Sequence, residues 1–313
     1  MSSIVVTGSV AFDHIMDFPG HFKEHILPDK VHMLSVSFLV DNLKKVRGGC
    51  AANIAYNLAL LGERPKMVAT VGDDFAEYRA WLESKGVDTS GTRVISGDFT
   101  ASCFITTDVD NNQITGFYTG AMKQAASVSL LDTLKAGDAA IISPNDPGAM
   151  MRYPKECREL GAAWVYDPGQ QIVSLTPDAM LDGVTGARCV VGNDYEMALI
   201  QDKTGRDAEG LLELAETVVI TRGEHGSTIM TRDGQVDIPS AKARRVLDPT
   251  GAGDAYRAGL LLGLVRGDPP ERYGRVASLA AVYAVEEYGT QAHSYTREEF
   301  AQRYREAFGE DLN

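Results

Sequence analysis

The sequence predicts an α/β fold in which a doubly wound, mostly parallel sheet is flanked by helices and carries a small β-sheet lid. From residue 123 onward, short apolar runs alternate with helical segments, which is typical of a parallel sheet covered by helices on both faces. Two β-rich patches, at 13–46 and 95–122, interrupt that alternation. We therefore predict that 1–12, 47–94 and 123–313 form the core and that the two patches form the lid. The alternative is that the patches are edge strands of the main sheet.

The core elements are predicted from the spacing of their apolar residues. The strands are short continuous apolar runs such as Ile4 to Thr7, as expected where a sheet is buried on both faces. The helices carry apolar residues on one face, as Ile54, Leu58 and Leu61 do, and end at glycines such as Gly62. In chain order, the predicted elements after that helix are strands at 66–71, 139–143, 163–167, 189–192 and 218–221, a hairpin at 227–238, and helices at 75–85, 255–266 and 271–287.

The lid is predicted from period-two alternation and turn residues. Two β-rich runs, 101–107 and 113–118, flank the polar turn 108–112, which is the signal of a hairpin. In the other patch, the alternating run 31–38 favours a further strand. Because both patches are short, we expect them to pair with each other into one small sheet.

Composition narrows the possible functions. The 313 residues carry a formal net charge of −13, which argues against nucleic acid or an anionic membrane as a partner. The four cysteines show no C-x-x-C spacing, as in a reduced intracellular protein without a zinc site. The N-terminus resembles no signal peptide, and no apolar run reaches the roughly 18 residues of a membrane span. We expect a cytoplasmic monomer or homodimer that acts on small molecules.

One loop carries the strongest functional signal, the run from Asp248 to Tyr256. Gly251, Ala252 and Gly253 precede a long apolar helix, so their backbone N–H groups form an anion cradle at its N-terminus. Asp254 is unexpected beside a phosphate, because like charges repel. A carboxylate that accepts the proton of an attacking hydroxyl explains its presence and predicts phosphoryl transfer. The alternative is an ordinary first-turn acid that complements the helix dipole.

Further polar residues lie at the carboxyl ends of predicted strands, where ligands of open α/β sheets bind. Asp13 follows the first strand, and Asn53 lies one turn into the helix that Gly48 and Gly49 precede. Together Asp13 and Asn53 suit a vicinal diol, because a carboxylate and an amide bind hydroxyls. The alternatives are a turn residue for Asp13 and a solvent-facing residue for Asn53.

Two more groups follow the later strands. Asn193 and Glu196 open a helix, where they either cap it or orient magnesium and its water shell. Thr221, Gly223 and Gly226 follow the strand after that. These groups and the glycine loop are expected to converge on one edge of the sheet.

These motifs together resemble the ribokinase-like (PfkB) carbohydrate kinase family. The run Gly48 to Ala55, with Leu58, Leu61 and Gly62, is similar to the family's first signature, and Asp248 to Tyr256 to its second. Asn193-x-x-Glu196 and Thr221-Arg222-Gly223-x-x-Gly226 match two further patterns in the family's order. The segments 24–38 and 111–115 resemble the adenosine kinase-like nucleoside kinases within that family.

The resemblance implies a role for each matching position. Asp254 is the implied catalytic base and also touches the substrate, while Gly251, Ala252 and Gly253 form the anion hole. The implied substrate residues are Asp13, Gly48, Gly49 and Asn53. The implied nucleotide residues are Asn193, Glu196, Thr221, Gly223, Gly226, Gly251 and Gly253, with Glu196 reaching Mg²⁺ through water. A monovalent cation, such as K⁺, is implied beside Asp248, Thr250, Ala284 and Gly289.

The expected reaction is transfer of the γ-phosphoryl group of ATP to the 5′-hydroxyl of a ribonucleoside, with adenosine preferred. Apolar residues in 33–38 favour a nucleoside over the first alternative, a free sugar such as ribose or fructose. The second alternative is a nucleoside sensor without catalysis. Two residues depart from the family pattern: Pro249 stands where threonine is common, and Arg257 stands where a small residue is common. Arg257 is predicted to be a solvated helix residue, and the alternative is that it contacts phosphate or an adjacent acidic residue of the lid.

Overall fold

The computed structural model describes residues 3–26, 32–33 and 35–312, and it contains three sheets in that part of the chain. Its strands are β1 (Ile4–Thr7), β2 (Ala11–Asp17), β3 (Asn42–Gly48), β4 (Lys66–Val68), β5 (Thr70–Val71), β6 (Arg93–Val94), β7 (Ala101–Thr107), β8 (Gln113–Tyr118), β9 (Ala139–Ile142), β10 (Ala163–Tyr166), β11 (Cys189–Asn193), β12 (Thr217–Thr221), β13 (Ser227–Thr231) and β14 (Gly234–Ile238). Its helices are α1 (Phe22–His25), α2 (Cys50–Leu60), α3 (Ala76–Ser84), α4 (Pro147–Leu160), α5 (Pro177–Val184), α6 (Asp194–Thr204), α7 (Ala208–Leu212), α8 (Ala252–Arg266), α9 (Pro270–Val285) and α10 (Arg297–Phe308).

The main sheet has eight strands in the order β14-β13-β12-β11-β10-β9-β1-β4. All pairs from β4 to β12 are parallel, whereas β13 and β14 add an antiparallel hairpin at one edge. The predicted α/β fold is therefore confirmed. Because the parallel strands share a direction, their carboxyl ends meet at one edge of the sheet, and the candidate site lies there.

Both faces of this sheet are covered, which explains its continuous apolar strands. Val6 packs on one side with Leu58 of α2 and Leu260 of α8, while Val5 packs on the other with Tyr153 of α4. The middle of α8, from Ala255 to Leu264, is wholly buried. Within the described residues, no helix has both the length and the apolar character needed to cross a bilayer.

The lid is a separate four-stranded sheet with the order β3-β2-β7-β8. β2 runs parallel to β7, and the other two pairs are antiparallel. Because these strands do not pair with the main sheet, the alternative of edge strands is excluded. β2 begins before residue 13 and β3 ends after residue 46, the two predicted boundaries of this part of the lid. The exact domain boundaries stay a prediction.

The strand predicted at 31–38 is wrong for the described part of that segment. Residues 32 and 33 form a helical turn, residues 35–38 have no regular structure, and 31 and 34 lie outside the described residues, as do 27–30. The lid strand is β3 instead, because it pairs with β2 along its full length, from Ala11–Gly48 to Asp17–Asn42. Phe38 packs against the ring of Phe22 at a centroid distance of 4.9 Å.

Candidate active site

The N-terminus of α8 forms the centre of the site. Gly251 is its N-cap residue with φ +83°, a left-handed conformation that favours glycine, and a Cβ there would lie 3.0 Å from the side chain of Thr290. The N–H of Ala252 donates to the carbonyl of Pro249 at 3.2 Å, whereas those of Gly251 and Gly253 donate to no described residue. Of the three amides predicted to form an anion hole, the two glycine amides are therefore free to bind an anion.

Asp254 lies in the first turn of α8 and is half-buried. Its Oδ2 accepts a hydrogen bond from Nδ2 of Asn53 at 2.8 Å. Burial raises the pKa of Asp254, and the Asn53 hydrogen bond and the charge of Arg257 oppose that rise. The carboxylate thus stays within reach of a ligand, and its basicity exceeds that of an ordinary aspartate.

Asn53 connects two motifs that are 201 residues apart in the sequence. It is 3% exposed, so the alternative of a solvent-facing residue is wrong. Its Oδ1 accepts from Nε2 of Gln291 at 2.9 Å, and Gln291 Oε1 accepts from Nε1 of Trp81 at 3.2 Å. These bonds fix which end of the Asn53 amide faces Asp254. No motif identifies Gln291 or Trp81, so sequence reasoning missed both residues.

Asp13 lies beside the two glycines that open α2. A Cβ on Gly48 would lie 2.6 Å from Oδ2 of Asp13, and one on Gly49 would lie 2.6 Å from the carbonyl oxygen of Ser9. The half-buried carboxylate of Asp13 accepts no hydrogen bond from the part of the chain that the structure describes. Burial and the nearby charge of Asp248 raise its pKa to about 6. A carboxylate in this state lacks the donors that would stabilise it, and a ligand with hydroxyl groups would supply them.

A cavity of about 580 Å³ opens on the other side of the glycine loop. Thr221, Gly223 and Gly226 line it together with Ala252 and Gly253, so the predicted nucleotide residues and the anion hole share one space. Its remaining wall is mostly apolar and includes Ala241, Val246, Tyr256, Ala281, Val282 and Val285. The cavity suits a ligand with one anionic end and one apolar end.

Asn193 and Glu196 lie outside this cavity and form a capping box at the start of α6. The Oδ1 of Asn193 accepts from the Glu196 N–H at 2.8 Å, and Oε2 of Glu196 accepts from the Asn193 N–H at 2.9 Å. Oε1 of Glu196 accepts no hydrogen bond from a described residue. The capping interpretation is correct, and one carboxylate oxygen remains available for a further partner.

Arg257 corrects a prediction, because it is 7% exposed rather than solvated. Its Nη2 donates to Oδ1 of Asp167 at 2.7 Å and to Oε2 of Glu196 at 3.3 Å, and its Nε lies 2.5 Å from Oδ2 of Asp167. Burial raises the pKa of Asp167 to about 6, although Arg257 opposes the rise. The partner residues lie far away in the sequence, which is why the helical pattern alone did not predict burial.

The predicted cation loop is held together by one carboxylate. Asp248 accepts from the Thr250 N–H at 2.9 Å through Oδ1 and from the Gly289 N–H at 3.0 Å through Oδ2. The N–H of Leu247 donates to the carbonyl of Val285 at 2.8 Å, which brings the end of α9 and Ala284 to the same loop. The four predicted positions therefore lie close together beside the glycine loop.

This fold, with a half-buried carboxylate beside two free glycine amides at a helix N-terminus, defines a phosphotransferase whose acceptor is an alcohol group. Comparison with known families agrees with this class. The pfkB family carbohydrate kinase profile matches residues 1–297, and the chain belongs to this family.

Two related proteins match nearly the whole chain. The nucleoside kinase of Methanothermobacter thermautotrophicus is 33% identical over 310 residues, which cover 98% of this chain and 96% of the relative. The structure of Burkholderia thailandensis nucleoside kinase in complex with inosine is similar with a TM-score of 0.87 at 38% identity, covering 99% of each chain. The structure of the same protein in complex with ADP-inosine has a TM-score of 0.86 at 39% identity and covers 99% of this chain and 97% of that one.

Proposed function

We propose that the protein is an ATP-dependent nucleoside kinase that phosphorylates the 5′-hydroxyl of a ribonucleoside, with adenosine as the first candidate. The observation that carries the proposal is the hydrogen bond between Asn53 and Asp254, because it joins the diol-binding side of the site to the anion-binding side. Two similar proteins that span the full chain are named nucleoside kinases, and one of them was solved with inosine.

In this reaction the 5′-oxygen forms a bond to the γ-phosphorus as the bond from that phosphorus to the β-phosphate oxygen breaks and ADP leaves. Asp254 accepts the hydroxyl proton, and its raised pKa makes it a better base near neutral pH. The amides of Gly251 and Gly253 donate to the phosphoryl oxygens, where charge develops. Asn53 holds one carboxylate oxygen, so the other is oriented toward the hydroxyl.

The lid side of the site favours a nucleoside over a free sugar. In the strand register, Asp13 lies opposite Val46 and Cys103, and Cys103 lies opposite Phe117, so these side chains share one face of the lid. Burial raises the pKa of the Cys103 thiol, and the charge of Asp13, its neighbour in the strand register, raises it further. Asp13 would accept hydrogen bonds from the ribose hydroxyls, and the apolar neighbours would cover a base.

Magnesium and a monovalent cation fit the donors present. We propose that Glu196 holds Mg²⁺ through water, since its Oε1 is not bonded to a described residue and Mg²⁺ retains several waters. Bound Mg²⁺ would offset the charge of the ATP phosphates. We propose K⁺ at the loop of Asp248, Thr250, Ala284 and Gly289, because Asp248 brings Thr250 and Gly289 together there and a carboxylate is an oxygen ligand for such a cation.

A substrate panel tests the proposal. ADP release from Mg-ATP is measured with adenosine, inosine, guanosine, cytidine, ribose and fructose, each with and without K⁺. We expect a nucleoside to exceed both sugars in kcat/KM, adenosine to lead the nucleosides, and K⁺ to raise turnover. Preference for a free sugar would establish the sugar kinase alternative. Tight adenosine binding without ADP release would establish the sensor. Light scattering after size-exclusion chromatography distinguishes a monomer from a homodimer, the two states expected.

Replacing Asp254 with asparagine removes the base and keeps the shape of the side chain. We expect kcat to fall by roughly 10²–10⁴, the usual contribution of a general base, while the nucleoside still binds. The matched control is Asp178→Asn, which makes the same change at an exposed first-turn position of α5 and leaves kcat unchanged. Turnover of the Asp254→Asn variant within threefold of the wild type would contradict the assignment.

A further inference from the structure

The buried guanidinium of Arg257 carries N–H donors that its ion pairs do not use. Its Nη2 donates to Asp167 and Glu196, and its Nε lies 2.5 Å from Oδ2 of Asp167 without the geometry of a hydrogen bond. Its Nη1 donates no hydrogen bond to a residue in the described ranges. This atom is not fully buried, so a ligand can reach it. A cation that is more than nine-tenths buried thus keeps both N–H donors of its Nη1 unused.

These donors lie beside the anion hole. Arg257 follows Gly253 by one helical turn, and its side chain extends back toward the N-terminus of α8, as helical side chains do. A Cβ on Gly253 would lie only 2.7 Å from Nη1. Nη1 therefore occupies the space next to the free Gly253 amide, and the ion pair with Asp167 keeps it there.

Negative charge is concentrated around the N-terminus of α8. Asp167 and Glu196 contact Arg257, and Asp254 precedes it by three residues on α8, so three carboxylates lie near one guanidinium at the place where a polyphosphate would bind. The helix dipole contributes only about half a positive charge. Without a full positive charge that faces the ligand, an incoming phosphate would meet net repulsion.

We propose that Arg257 is a catalytic residue whose Nη1 donates to a non-bridging oxygen of the transferred phosphoryl group, and that Asp167 positions it. The proposal rests on the kinase function proposed above. Arginine suits this role because its fork can bind Asp167 on one edge and a phosphate oxygen with the remaining amino group. The competing explanation is structural: Arg257 only neutralises the buried Asp167.

Four variants separate these explanations: Arg257→Met, Arg257→Lys, Asp167→Asn, and the double variant Asp167→Asn with Arg257→Met. The single Arg257→Met change leaves Asp167 buried without its partner, which by itself destabilises the fold. The double variant removes both charges, so it stays folded if the role of the pair is structural. Thermal unfolding in the absence of ligand establishes that each variant compared is folded.

We expect the double variant to lose roughly 10²–10³ in kcat, the usual effect of removing one oxyanion donor, with an unchanged KM for the nucleoside. Arg257→Lys should lose activity as well, because an ammonium group lacks the fork. Asp167→Asn keeps the guanidinium and should lose less than the double variant. A double variant with kcat within threefold of the wild type would overturn the proposal.

Binding measurements keep this test independent of the proposed function. Calorimetry with a non-hydrolysable ATP analogue and with ADP reports contact with the terminal phosphate even if the wild type phosphorylates no nucleoside. We expect the double variant to bind the analogue at least tenfold more weakly and ADP equally well. If the affinities for the ATP analogue and for ADP fall equally, or if neither falls, Arg257 does not contact the terminal phosphate.

Discussion

At the scale of single residues, the site is built from carboxylates whose pKa values are raised. Burial is the main cause for Asp13, Asp167 and Asp254 alike. The ionised form of such a carboxyl group is less stable in the folded chain than in water. Groups of this kind are common at functional sites, where a ligand can supply hydrogen bonds to the carboxylate. Asp13 is the clearest case, because its pKa of about 6 coincides with the absence of a hydrogen-bond donor among the described residues.

Asp13 should therefore make stability depend on pH. Its pKa is about 6 in the folded chain against an ordinary value of 3.8, so between those values the folded chain holds a proton that the unfolded chain has lost. The free energy of unfolding must then decrease as the pH rises through this window. We expect Asp13→Asn to unfold at a higher temperature than the wild type at pH 7, and this difference to shrink as the pH falls toward 4.

The same substitution should weaken nucleoside binding, because an amide is a poorer acceptor for hydroxyl groups than a carboxylate. Scanning calorimetry at pH 7, 6, 5 and 4 measures the first effect, and the KM for the nucleoside measures the second. Asp178→Asn, at an exposed position, controls for the loss of one negative charge. A destabilised Asp13→Asn variant at pH 7 would show that Asp13 has a structural partner.

At the scale of elements, α8 brings the chemistry of the site into a fixed position. A Cβ on Gly259 would lie 2.6 Å from the Cα of Ala277, so α8 and α9 approach each other closely through a glycine. Because the middle of α8 is buried on all sides, its N-terminus has little freedom to move. The free amides, Asp254 and Arg257 are thereby held in one constant arrangement.

The two ends of α8 offer a matched experiment. Gly251 and Gly267 cap the helix with φ +83° and φ +72°, but nothing lies within 4 Å of a Cβ on Gly267. Alanine at either position costs roughly 1–2 kcal/mol of stability, because the left-handed conformation strains it. We expect Gly251→Ala and Gly267→Ala to lower the unfolding temperature, and only Gly251→Ala to lower kcat, by more than tenfold. Equal kcat values for the two variants would exclude a role for the Gly251 backbone in phosphoryl transfer.

At the scale of the whole molecule, the sequence predicts what is encoded locally. The strands of the main sheet, the lid hairpin of β7 and β8, and the glycine loop all follow from patterns within a few residues, and the structure agrees with most of them. The single strand predicted at 66–71 is an exception, because it divides into β4 of the main sheet and β5, which pairs with β6 in a separate sheet. The lid strand β3 was missed because its pairing with β2 outweighs the weak alternation at 31–38.

The contacts that organise the site depend on distant residues instead. Asn53 with Asp254, Gln291 with Asn53, and Arg257 with Asp167 join positions 201, 238 and 90 residues apart. No spacing rule reaches that far, so the burial of Arg257 and the contribution of Gln291 emerge only from the folded chain.

The net charge of −13 leads to a prediction about the molecule as a whole. Mg-ATP is an anion and adenosine is neutral, so long-range repulsion opposes only the nucleotide. The screening length falls from about 30 Å at 0.01 M salt to about 8 Å at 0.15 M. At the higher salt concentration, distant acidic side chains no longer repel the nucleotide, while the attraction of the nearby Arg257 remains. We expect the KM for Mg-ATP to fall roughly twofold or more over this range, and the KM for adenosine to stay constant. The salt should be tetramethylammonium chloride at fixed K⁺ and Mg²⁺, so that cation binding does not change. If the KM for Mg-ATP rises with salt instead, the nucleotide is attracted by a local positive field that outweighs the net charge of the chain.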